Sequence, residues 1–340
     1  MAEAVPTGAP PVDTALTVAP VTVVIVNHNA GRLLVECLES VLEAAAEVVL
    51  VDNASEPEPF ESLLAPFADH PRLEVVRSPD NRGFAAGCNL GAEFSTQPFV
   101  LFLNPDCVVR PGALGRLCDA LAADPEAALA GGRLTYADGR EQGGGRRAVP
   151  TPWRSFVRAF GLARLSRRWP RLFNDFHLHF EPLPREPIAV EAISGACMLV
   201  SRRAMNVVGL MDEGYFLHCE DLDLCMRVRR EGWRILFVPD SQIVHYKGGC
   251  SVRRPVFVEW HKHKGMVRFY KKHFRLQYPT GLMELVIVGV WLRFAVLATR
   301  HGAVGLARRL GEFRRRRSAG SRPLESAVLP VVVSTRPLTS

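Results

Sequence analysis

Lysine is absent from the first 145 residues of this 340-residue chain, which contain eight arginines against 20 acidic residues. The net charge of that part is −12, whereas the remaining 195 residues carry +19 and give the whole chain a net charge of +7. Because 48% of the residues are hydrophobic, the composition excludes a disordered or fibrous protein. The strongly basic second part indicates an anionic partner, such as nucleic acid, phospholipid or a phosphorylated substrate.

Several motifs of well-known protein classes are also missing. The eight cysteines include no CxxC pair, which argues against a zinc ribbon or a thioredoxin-type site and favours buried thiols in a reducing cytoplasm. The N-terminus has no basic segment followed by an apolar one, so we expect no secretory signal. The sequence lacks the GxxxxGK(S/T), GxGxxG and GxSxG signatures of common nucleotide-binding proteins and hydrolases.

What the sequence does contain is a regular alternation of apolar strands and amphipathic helices joined by short links. This pattern predicts an α/β fold, in which helices cover both faces of a mostly parallel central sheet. Ligands bind such sheets beyond the carboxyl ends of the strands. We predict strands at residues 21–26, 48–51, 73–76, 99–103, 127–134 and 234–238, and helices at residues 33–42, 60–67, 84–94, 112–122, 220–231 and 256–274.

Residues 138–187 interrupt this alternation. They contain three consecutive glycines, the pair Arg146 and Arg147, and several prolines. A long segment of this kind inside a compact domain is usually functional. We therefore predict a lid or an acceptor loop over the site, followed by renewed regular structure at residues 188–200.

The apolar residues 282–299 allow three interpretations. Glu284 and Arg293 bracket the uncharged run and leave fewer than the ~20 residues that a bilayer crossing needs. Arginines follow closely, which favours a helix that lies in the membrane interface and is held by anionic lipid. A buried helix of the protein core and a true membrane span remain alternatives.

Two aspartates follow predicted strands. Asp52 ends the second strand, where an ionised carboxylate can accept a hydrogen bond from the N3–H of a uracil or thymine ring. Asp106 follows the fourth strand in Asn104-Pro105-Asp106, where a carboxylate suits Mg²⁺ or Mn²⁺. Ordinary turn chemistry is the alternative for both residues.

Two later motifs carry further candidate chemistry. The run Glu220-Asp221-Leu222-Asp223 opens a helix, so its carboxylates can cap the helix, or one of them can act as a general base. His245 follows a predicted strand and can ligate the same metal as Asp106, with Lys247 near the phosphates. A purely structural histidine is the alternative.

Taken in order, these motifs resemble the family 2 inverting glycosyltransferases of the GT-A fold over about residues 20–250. The resemblance implies a nucleotide-diphosphate-sugar donor, Mg²⁺ or Mn²⁺, and a single in-line displacement that inverts the anomeric carbon. The motifs that carry it are Asn27-His28-Asn29, Asp52-Asn53-Ala54-Ser55, Asn81-Arg82-Gly83-Phe84, Asn104-Pro105-Asp106, Gly195-Ala196-Cys197-Met198, Glu220-Asp221-Leu222-Asp223 and His245.

The resemblance also implies a role for each matching residue. Asp221 corresponds to the catalytic base, with Glu220 as its rival, and Asp106 and His245 correspond to metal ligands. Asn104 replaces the first aspartate of the family's DxD motif. The implied donor-binding residues are Asn27, Asn29, Asp52, Asn81, Arg82, Gly83, Asn104 and Lys247, and the implied acceptor-binding residues are Gly195, Ala196, Cys197 and Met198.

The resemblance divides the chain into four segments. We expect a flexible leader at residues 1–19 and a GT-A catalytic domain at residues 20–252. A basic, amphipathic helical extension that faces the membrane follows at residues 253–313, and residues 314–340 form a disordered tail.

Within the family, the motifs are similar to bacterial rhamnosyltransferases of the N-acetylglucosaminyl-diphosphoryl-polyprenol type. This implies transfer from dTDP-L-rhamnose to a polyprenyl-diphosphate-linked sugar in cell-wall linker assembly. The expected location is cytoplasmic, peripheral on the anionic inner face of the cell membrane. Nucleic acid is not an expected partner, and a homo-oligomer stays open.

Other functions remain open alongside this one. The donor can be a UDP-sugar, and the acceptor another cell-surface polysaccharide. A sugar nucleotidyltransferase would need a glycine-rich basic loop after the first strand, which residues 27–32 do not form. An inactive nucleotide-sugar-binding module would not need the intact run at residues 220–223.

Overall fold

The computed structural model describes residues 18–169, 171–173, 176–246, 248 and 254–319. Lys247, most of the predicted leader and residues 320–340 of the predicted tail lie outside the described residues. The strands are β1 (Ala19–Asn27), β2 (Ala45–Asn53), β3 (Leu73–Ser78), β4 (Phe99–Leu103), β5 (Cys107–Val109), β6 (Ala127–Thr135), β7 (Arg146–Arg147), β8 (Ile188–Ala189), β9 (Ala192–Ile193), β10 (Cys197–Ser201) and β11 (Arg234–His245). The α-helices are α1 (Arg32–Val41), α2 (Pro57–Leu64), α3 (Phe84–Glu93), α4 (Ala113–Ala123), α5 (Pro152–Ala159), α6 (Arg202–Val208), α7 (Glu220–Arg230), α8 (Pro255–Phe274) and α9 (Thr280–Ala319), and short 3₁₀ helices occur at Ala65–Phe67, Leu162–Arg167 and Leu178–Phe180.

One mixed sheet forms the centre of the molecule. Its strand order is β3-β2-β1-β4-β10-β6-β11-β5, and β8 adds to β11, while β7 and β9 form a separate two-stranded ribbon. Strands β3, β2, β1 and β4 are parallel, as are β6 and β11. Strand β10 runs antiparallel to both of its neighbours. The predicted α/β fold is confirmed, and its parallel part is concentrated in the first four strands.

The antiparallel strand β10 has a topological cause. Parallel neighbours are joined by a crossover connection that usually contains a helix. Strand β10 instead enters the sheet after the long segment 138–187 and the short strands β8, which pairs with β11, and β9, which pairs with β7. Its direction is therefore not fixed by a strand–helix–strand unit.

Alternate residues of the central strands pack into two separate cores. Val23 and Ile25 of β1 belong to the core on one face, and Val24 and Val26 belong to the core on the other face. Successive side chains of a strand point to opposite faces, so a strand buried on both faces has a continuous apolar sequence. Helices α1, α2 and α4 cover the first core, and α3, α6, α7, α8 and α9 cover the second.

Helix α8 differs from the predicted membrane-facing extension. Phe269, Tyr270 and Phe274 are almost fully buried in the second core. The basic composition of this helix drew attention to its exposed charges, whereas its apolar stripe packs against the catalytic domain. Helix α8 therefore packs as part of the folded domain, whereas the sequence analysis placed it in an extension that begins at residue 253.

Helix α9 has one buried and one exposed apolar stripe. Met283, Ile287 and Val290 are buried against the second core. The exposed apolar stripe of α9 consists of Leu285, Val288, Leu292 and Val296, whose exposed fractions are 68%, 52%, 63% and 66%. The helix continues to Ala319, beyond the predicted start of the tail at residue 314.

The segment Gly281–Val304 of α9 is long and apolar enough to cross a membrane, judged by length and composition alone. The prediction that Glu284 and Arg293 leave too short an apolar run is therefore wrong, since a few charges spread along this segment do not end its apolar character.

Candidate active site

The carboxyl ends of β1 and β2 lie side by side and carry the first group of predicted site residues. Asn27 and Asp52 are direct partners in the register of these strands and are 2% and 7% exposed. The Asn27 side-chain amide donates to the Ser55 hydroxyl at 2.9 Å, and the Ser55 N–H donates to Asp52 at 3.0 Å. The Asn29 N–H also donates to the Ser55 hydroxyl, at 3.1 Å. Three predicted donor-binding residues therefore converge around Ser55.

Asn53 connects this strand end to the loop that precedes α3. Its side-chain amide donates to the side-chain oxygen of Asn81 at 3.1 Å and to the backbone carbonyl of Gly83 at 3.0 Å. Its side-chain oxygen accepts the Arg82 N–H at 3.1 Å. Six of the predicted donor-binding residues thus lie on one rim of the sheet, next to the N-terminus of α3. Anions bind well at helix N-termini.

Gly83 and Arg82 each have a structural role in this loop. Gly83 adopts a φ of +92°, and a Cβ there would lie 2.5 Å from the Phe216 carbonyl oxygen. That carbonyl accepts the Phe84 N–H at 2.8 Å, so only glycine allows the close approach. The Arg82 guanidinium forms a half-exposed ion pair with Glu213 at 3.1 Å, which directs it toward that carboxylate.

Asp106 and His245 meet at a second point on the same side of the sheet. The His245 Nε2 lies 3.4 Å from the Asp106 carboxylate, and both side chains are nearly buried. Gln142 donates from its amide nitrogen to the His245 backbone carbonyl at 2.7 Å, so its side-chain oxygen faces the His245 Nδ1 at 2.8 Å. Nδ1 therefore carries a proton, and Nε2, which faces Asp106, is the ring nitrogen that a metal can reach.

The neighbouring donors decide what this centre can hold. The ligand atoms of Asp106, Cys107 and His245 all lie within 4.8 Å of one another. Burial, followed by the charge of Asp106, raises the pKa of Cys107 well above its usual value, and its thiol donates to the Ala196 carbonyl at 3.4 Å. Asn104 is fixed by its backbone, whose N–H donates to the Ala196 carbonyl at 3.0 Å. One carboxylate and one neutral imidazole fit a divalent metal that takes its other ligands from phosphate and water.

The segment Gly195–Met198 bridges this centre to the carboxylates of α7. The Gly195 N–H donates to Asp221 at 3.0 Å, and the Ala196 carbonyl accepts from the Cys107 thiol at 3.4 Å. Cys197 packs in the first core and Met198 in the second, and both are almost fully buried. The alternation of β10 sends these two side chains into the two cores, and the border of Gly195–Met198 with the acceptor stays a prediction.

Helix α7 presents its carboxylates from a tight turn. His218 and Cys219 both have left-handed backbone conformations, with φ values of 68° and 73°. Such conformations are uncommon outside glycine and concentrate at functional sites. Asp221 accepts the Gly195 N–H, accepts the Leu222 N–H at 2.7 Å and forms an ion pair with Arg147. Three donors thus hold Asp221, the base predicted from the family, next to the segment Gly195–Met198.

Glu220, the rival base, has a different environment. It is 5% exposed, and its Oε2 has no hydrogen-bond partner. Burial, together with the adjacent charge of Asp221, raises the pKa of Glu220 to about 8. At neutral pH Glu220 is therefore mainly protonated and cannot accept a proton, which favours Asp221 as the base.

Asp223, the third carboxylate of the run, joins α7 to α8. Its side chain is fully buried and accepts from His273 at 2.8 Å, Lys272 at 2.7 Å and Arg227 at 2.9 Å. Burial alone would raise the pKa of Asp223, but these three donors hold it well below its usual value. Asp223 is therefore an ionised structural residue.

Sequence reasoning did not identify three residues that organise the site. Asn53 stands inside a quoted motif, and its signal was its place directly after a buried strand. Gln142 and Arg147 belong to the irregular segment 138–187, where no period indicates which side chains face inward. Their nearest signal was the pair of adjacent arginines next to the consecutive glycines.

Comparison with known proteins places this geometry in a family. The model of glycosyl transferase family 2 matches residues 22–208. The chain is 30% identical over 257 residues to N-acetylglucosaminyl-diphospho-decaprenol L-rhamnosyltransferase of Mycobacterium tuberculosis, an alignment that covers 68% of this chain and 78% of the relative.

Solved structures support the fold assignment. The mannosyltransferase PcManGT from Pyrobaculum calidifontis, in complex with GDP-Man and Mn²⁺, has a TM-score of 0.51 at 17% identity and covers 87% of this chain and 82% of its own. GalNAc-T7 with UDP, GalNAc and Mn²⁺ has a TM-score of 0.52 at 19% identity and covers 67% and 44%. This chain belongs to glycosyltransferase family 2, has the GT-A fold, and is a glycosyltransferase.

Proposed function

We propose that this glycosyltransferase moves L-rhamnose from dTDP-L-rhamnose to N-acetylglucosamine on a polyprenyl diphosphate, as a step in cell-wall linker assembly. The observation that carries the proposal is the 30% identity to the mycobacterial N-acetylglucosaminyl-diphospho-decaprenol L-rhamnosyltransferase over two thirds of the chain. The arrangement of acidic and amide side chains along one rim of the sheet supports it.

The donor half of the site lies at the ends of β1 and β2. Asp52 accepts a hydrogen bond from the pyrimidine N3–H, and Asn27 and Asn29 line the base pocket. Asp106 and His245 would hold a divalent metal, Mg²⁺ or Mn²⁺, which when bound neutralises charge on the leaving diphosphate. Mn²⁺ is present with a nucleotide or nucleotide sugar in both structural relatives described above, which supports a metal of this kind.

The acceptor half lies at the start of α7. Asp221 takes the proton of the acceptor hydroxyl, whose oxygen forms a bond to the anomeric carbon of rhamnose. The bond from that carbon to the diphosphate oxygen breaks at the same time, so the configuration inverts in a single displacement. The chain supplies no covalent nucleophile in this scheme, and the backbone of Gly195 fixes the base beside the reacting sugar.

The acceptor lipid calls for a location at the membrane. We propose that the enzyme is peripheral on the inner face of the cell membrane, with the exposed apolar stripe of α9 buried in the interface. The support is the alternation of buried and exposed apolar residues on this helix, since one stripe packs on the domain and the side chains of the other are more than half exposed.

The proposal is tested with a donor panel and the purified full chain. dTDP-L-rhamnose and several UDP-sugars are incubated with Mn²⁺ or Mg²⁺, with and without N-acetylglucosaminyl-diphosphoryl-prenol, and release of nucleoside diphosphate is measured. We expect acceptor-dependent release of dTDP, loss of turnover by at least 10²-fold in Asp221→Asn, and wild-type rates in the control Asp69→Asn, whose carboxylate is exposed and remote in sequence from every site residue.

Each other outcome points to a different function. UDP release from a UDP-sugar would replace the donor, and turnover only with another polysaccharide acceptor would replace the acceptor. Pyrophosphate release from a nucleoside triphosphate would indicate a sugar nucleotidyltransferase. Donor binding without any turnover would indicate an inactive nucleotide-sugar-binding module. Wild-type rates in Asp221→Asn would refute the role of Asp221 as base.

A further inference from the structure

A buried guanidinium faces the carboxylate of Asp221 from outside α7. Arg147 is the second residue of β7, and its side chain is only 18% exposed. It forms an ion pair with Asp221 Oδ2 and donates to the Ile193 carbonyl at 3.3 Å. Its Nε is buried without a hydrogen-bond partner. The guanidinium is therefore held at the base and not at the surface, where an arginine would be fully hydrated.

The preceding residue, Arg146, shows what a purely structural arginine does in the same strand. It is 1% exposed and forms a two-pronged ion pair with Glu141 at 2.8 and 3.2 Å. It also donates to the Glu181 backbone carbonyl at 2.9 Å. Successive side chains of a strand point to opposite sides, so the contacts that fix Arg146 inside the 138–187 segment leave Arg147 directed at Asp221.

The pairing of β7 with β9 sets the position of Arg147 along α7. Arg147 is the register partner of Ala192, and Arg146 is the partner of Ile193. The chain then runs directly from β9 to Gly195, whose N–H contacts the same Asp221 oxygen as Arg147 does. One short ribbon thus supplies both the cation and the backbone donor to the base.

Two carboxylates begin α7, and only one of them has a cation. Asp221 contacts Arg147, while the Oε2 of Glu220 has no partner. Adjacent buried carboxylates do not both ionise unless a positive charge compensates one of them. The contact with Arg147 therefore places the compensating positive charge at Asp221.

The other ionisable groups around Asp221 do not provide this compensation. Burial and the positive charge of Lys262 lower the pKa of His218, so its imidazole stays neutral. Burial raises the pKa of the nearby Cys219 thiol. Burial also raises the pKa of the Cys225 thiol, to about 12. The titratable and charged groups that face Asp221 are Arg147 of β7, His218 and Cys219 of the preceding turn, Glu220 and Cys225 of α7, and, through His218, Glu259 and Lys262 of α8.

We propose that Arg147 is the positioning residue of the catalytic base: its guanidinium contacts the Asp221 carboxylate and fixes its orientation at the acceptor side of the site. The inference rests on the proposed role of Asp221 as the base. It also assigns a task to the 138–187 segment, which completes the base by bringing a cation to it rather than by contacting the donor.

The test compares pH–rate profiles of Arg147→Gln and Arg147→Lys with the wild type. A carboxylate that loses a cation in contact ionises at a pH that is higher by about 1 to 3 units. In Arg147→Gln we expect the acid limb of kcat/KM to move to higher pH by at least one unit, with donor KM unchanged. In Arg147→Lys, which keeps the charge but loses the planar fork, we expect the wild-type limb and a roughly tenfold loss of kcat.

Two controls separate positioning from structure. Arg140→Gln removes an exposed arginine of the same segment, whose side chain contacts its sequence neighbours Asp138 and Tyr136, and should leave the profile unchanged. Arg146→Lys should lower the melting temperature without moving the acid limb. If Arg147→Gln does not fold, Arg147→Lys and its kcat loss at an unchanged limb carry the test.

The results that overturn the inference are specific. A wild-type acid limb in folded Arg147→Gln, or a wild-type kcat in Arg147→Lys, refutes the role of Arg147. If Asp221→Asn is inactive in the same experiments, the proposed function still holds. An equal limb shift in both Arg147 variants also refutes it, because the charge would then be irrelevant. Full activity in Asp221→Asn refutes the base assignment instead.

Discussion

Glu220 provides a sharp test of the electrostatics at the start of α7, because its carboxyl group is buried and its Oε2 has no hydrogen-bond partner. Burial raises its pKa from 4.5 to about 8 in the folded protein. In the unfolded chain the same carboxyl ionises near the lower value. Glu220→Gln keeps the size of the side chain and removes the ionisation, so it isolates the free energy associated with that proton.

The sign follows from proton binding. Between about pH 4.5 and pH 8 the folded state holds a proton at Glu220 that the unfolded state has released. Folding is then favoured by low pH, and the wild type loses stability as the pH rises through this window. One unit of pKa difference corresponds to about 1.4 kcal/mol, so the loss at pH 8 is on the order of a few kcal/mol. Glu220→Gln escapes this loss.

We therefore expect Glu220→Gln to match the wild type in stability at pH 5 and to exceed it at pH 8.5. Urea unfolding or thermal melting at pH 5, 7 and 8.5 measures the difference, with each kcal/mol worth about 2 to 4 °C. The matched control is Glu58→Gln, since Glu58 also lies in the first turn of a helix but is exposed. It should show no pH-dependent difference from the wild type.

The reasoning fails if Glu220→Gln differs from the wild type by the same amount at every pH. The turnover rate of Glu220→Gln provides a second test. If Asp221 is the base, Glu220→Gln retains turnover, whereas a loss of turnover comparable to that of Asp221→Asn would make Glu220 part of the proton-transfer step.

Three further predictions concern the metal centre and α9. Asp106→Ala should abolish metal-dependent binding of dTDP, and an unchanged Mn²⁺ affinity in calorimetric titration would contradict this. Gln142→Met removes the partner that fixes the His245 tautomer and should weaken Mn²⁺ binding about 10- to 100-fold, with the melting temperature as a check on folding. The double variant Leu285→Ser, Leu292→Ser should no longer float with anionic vesicles. The control Leu276→Ser, which alters a fully exposed leucine outside the stripe, should float like the wild type. Equal flotation of the wild type and both variants would refute the membrane-facing role of the stripe.

The amount of the fold that the sequence predicts depends on how each residue is buried. Strand β1 was predictable because burial on both faces makes its sequence continuously apolar. The direction of β10 was not, because it is set by a preceding segment without periodicity. Helix α8 was misjudged since its charged residues dominate its composition, although Phe269 and Tyr270 lie in the core.

The residues of the candidate site differ in the same way in how far local sequence predicts their positions. Asp52, Asp106 and His245 stand at the ends of strands, where position in the fold follows from local sequence. Gln142 and Arg147 act through contacts with residues about 100 and 74 positions away. No local pattern specifies such partners, so only the folded chain brings them to light.

The ion pairs of Asp223 have a consequence for how the enzyme can be shortened. They join the helix that carries the candidate base to Lys272 and His273 at the end of α8. A chain that stops near residue 252 would leave a fully buried carboxylate without two of its three side-chain hydrogen-bond partners and would expose the aromatic side of the second core. A shortened enzyme should therefore keep α8, which completes the charge network, and also the first turns of α9, because Met283, Ile287 and Val290 are buried in the second core.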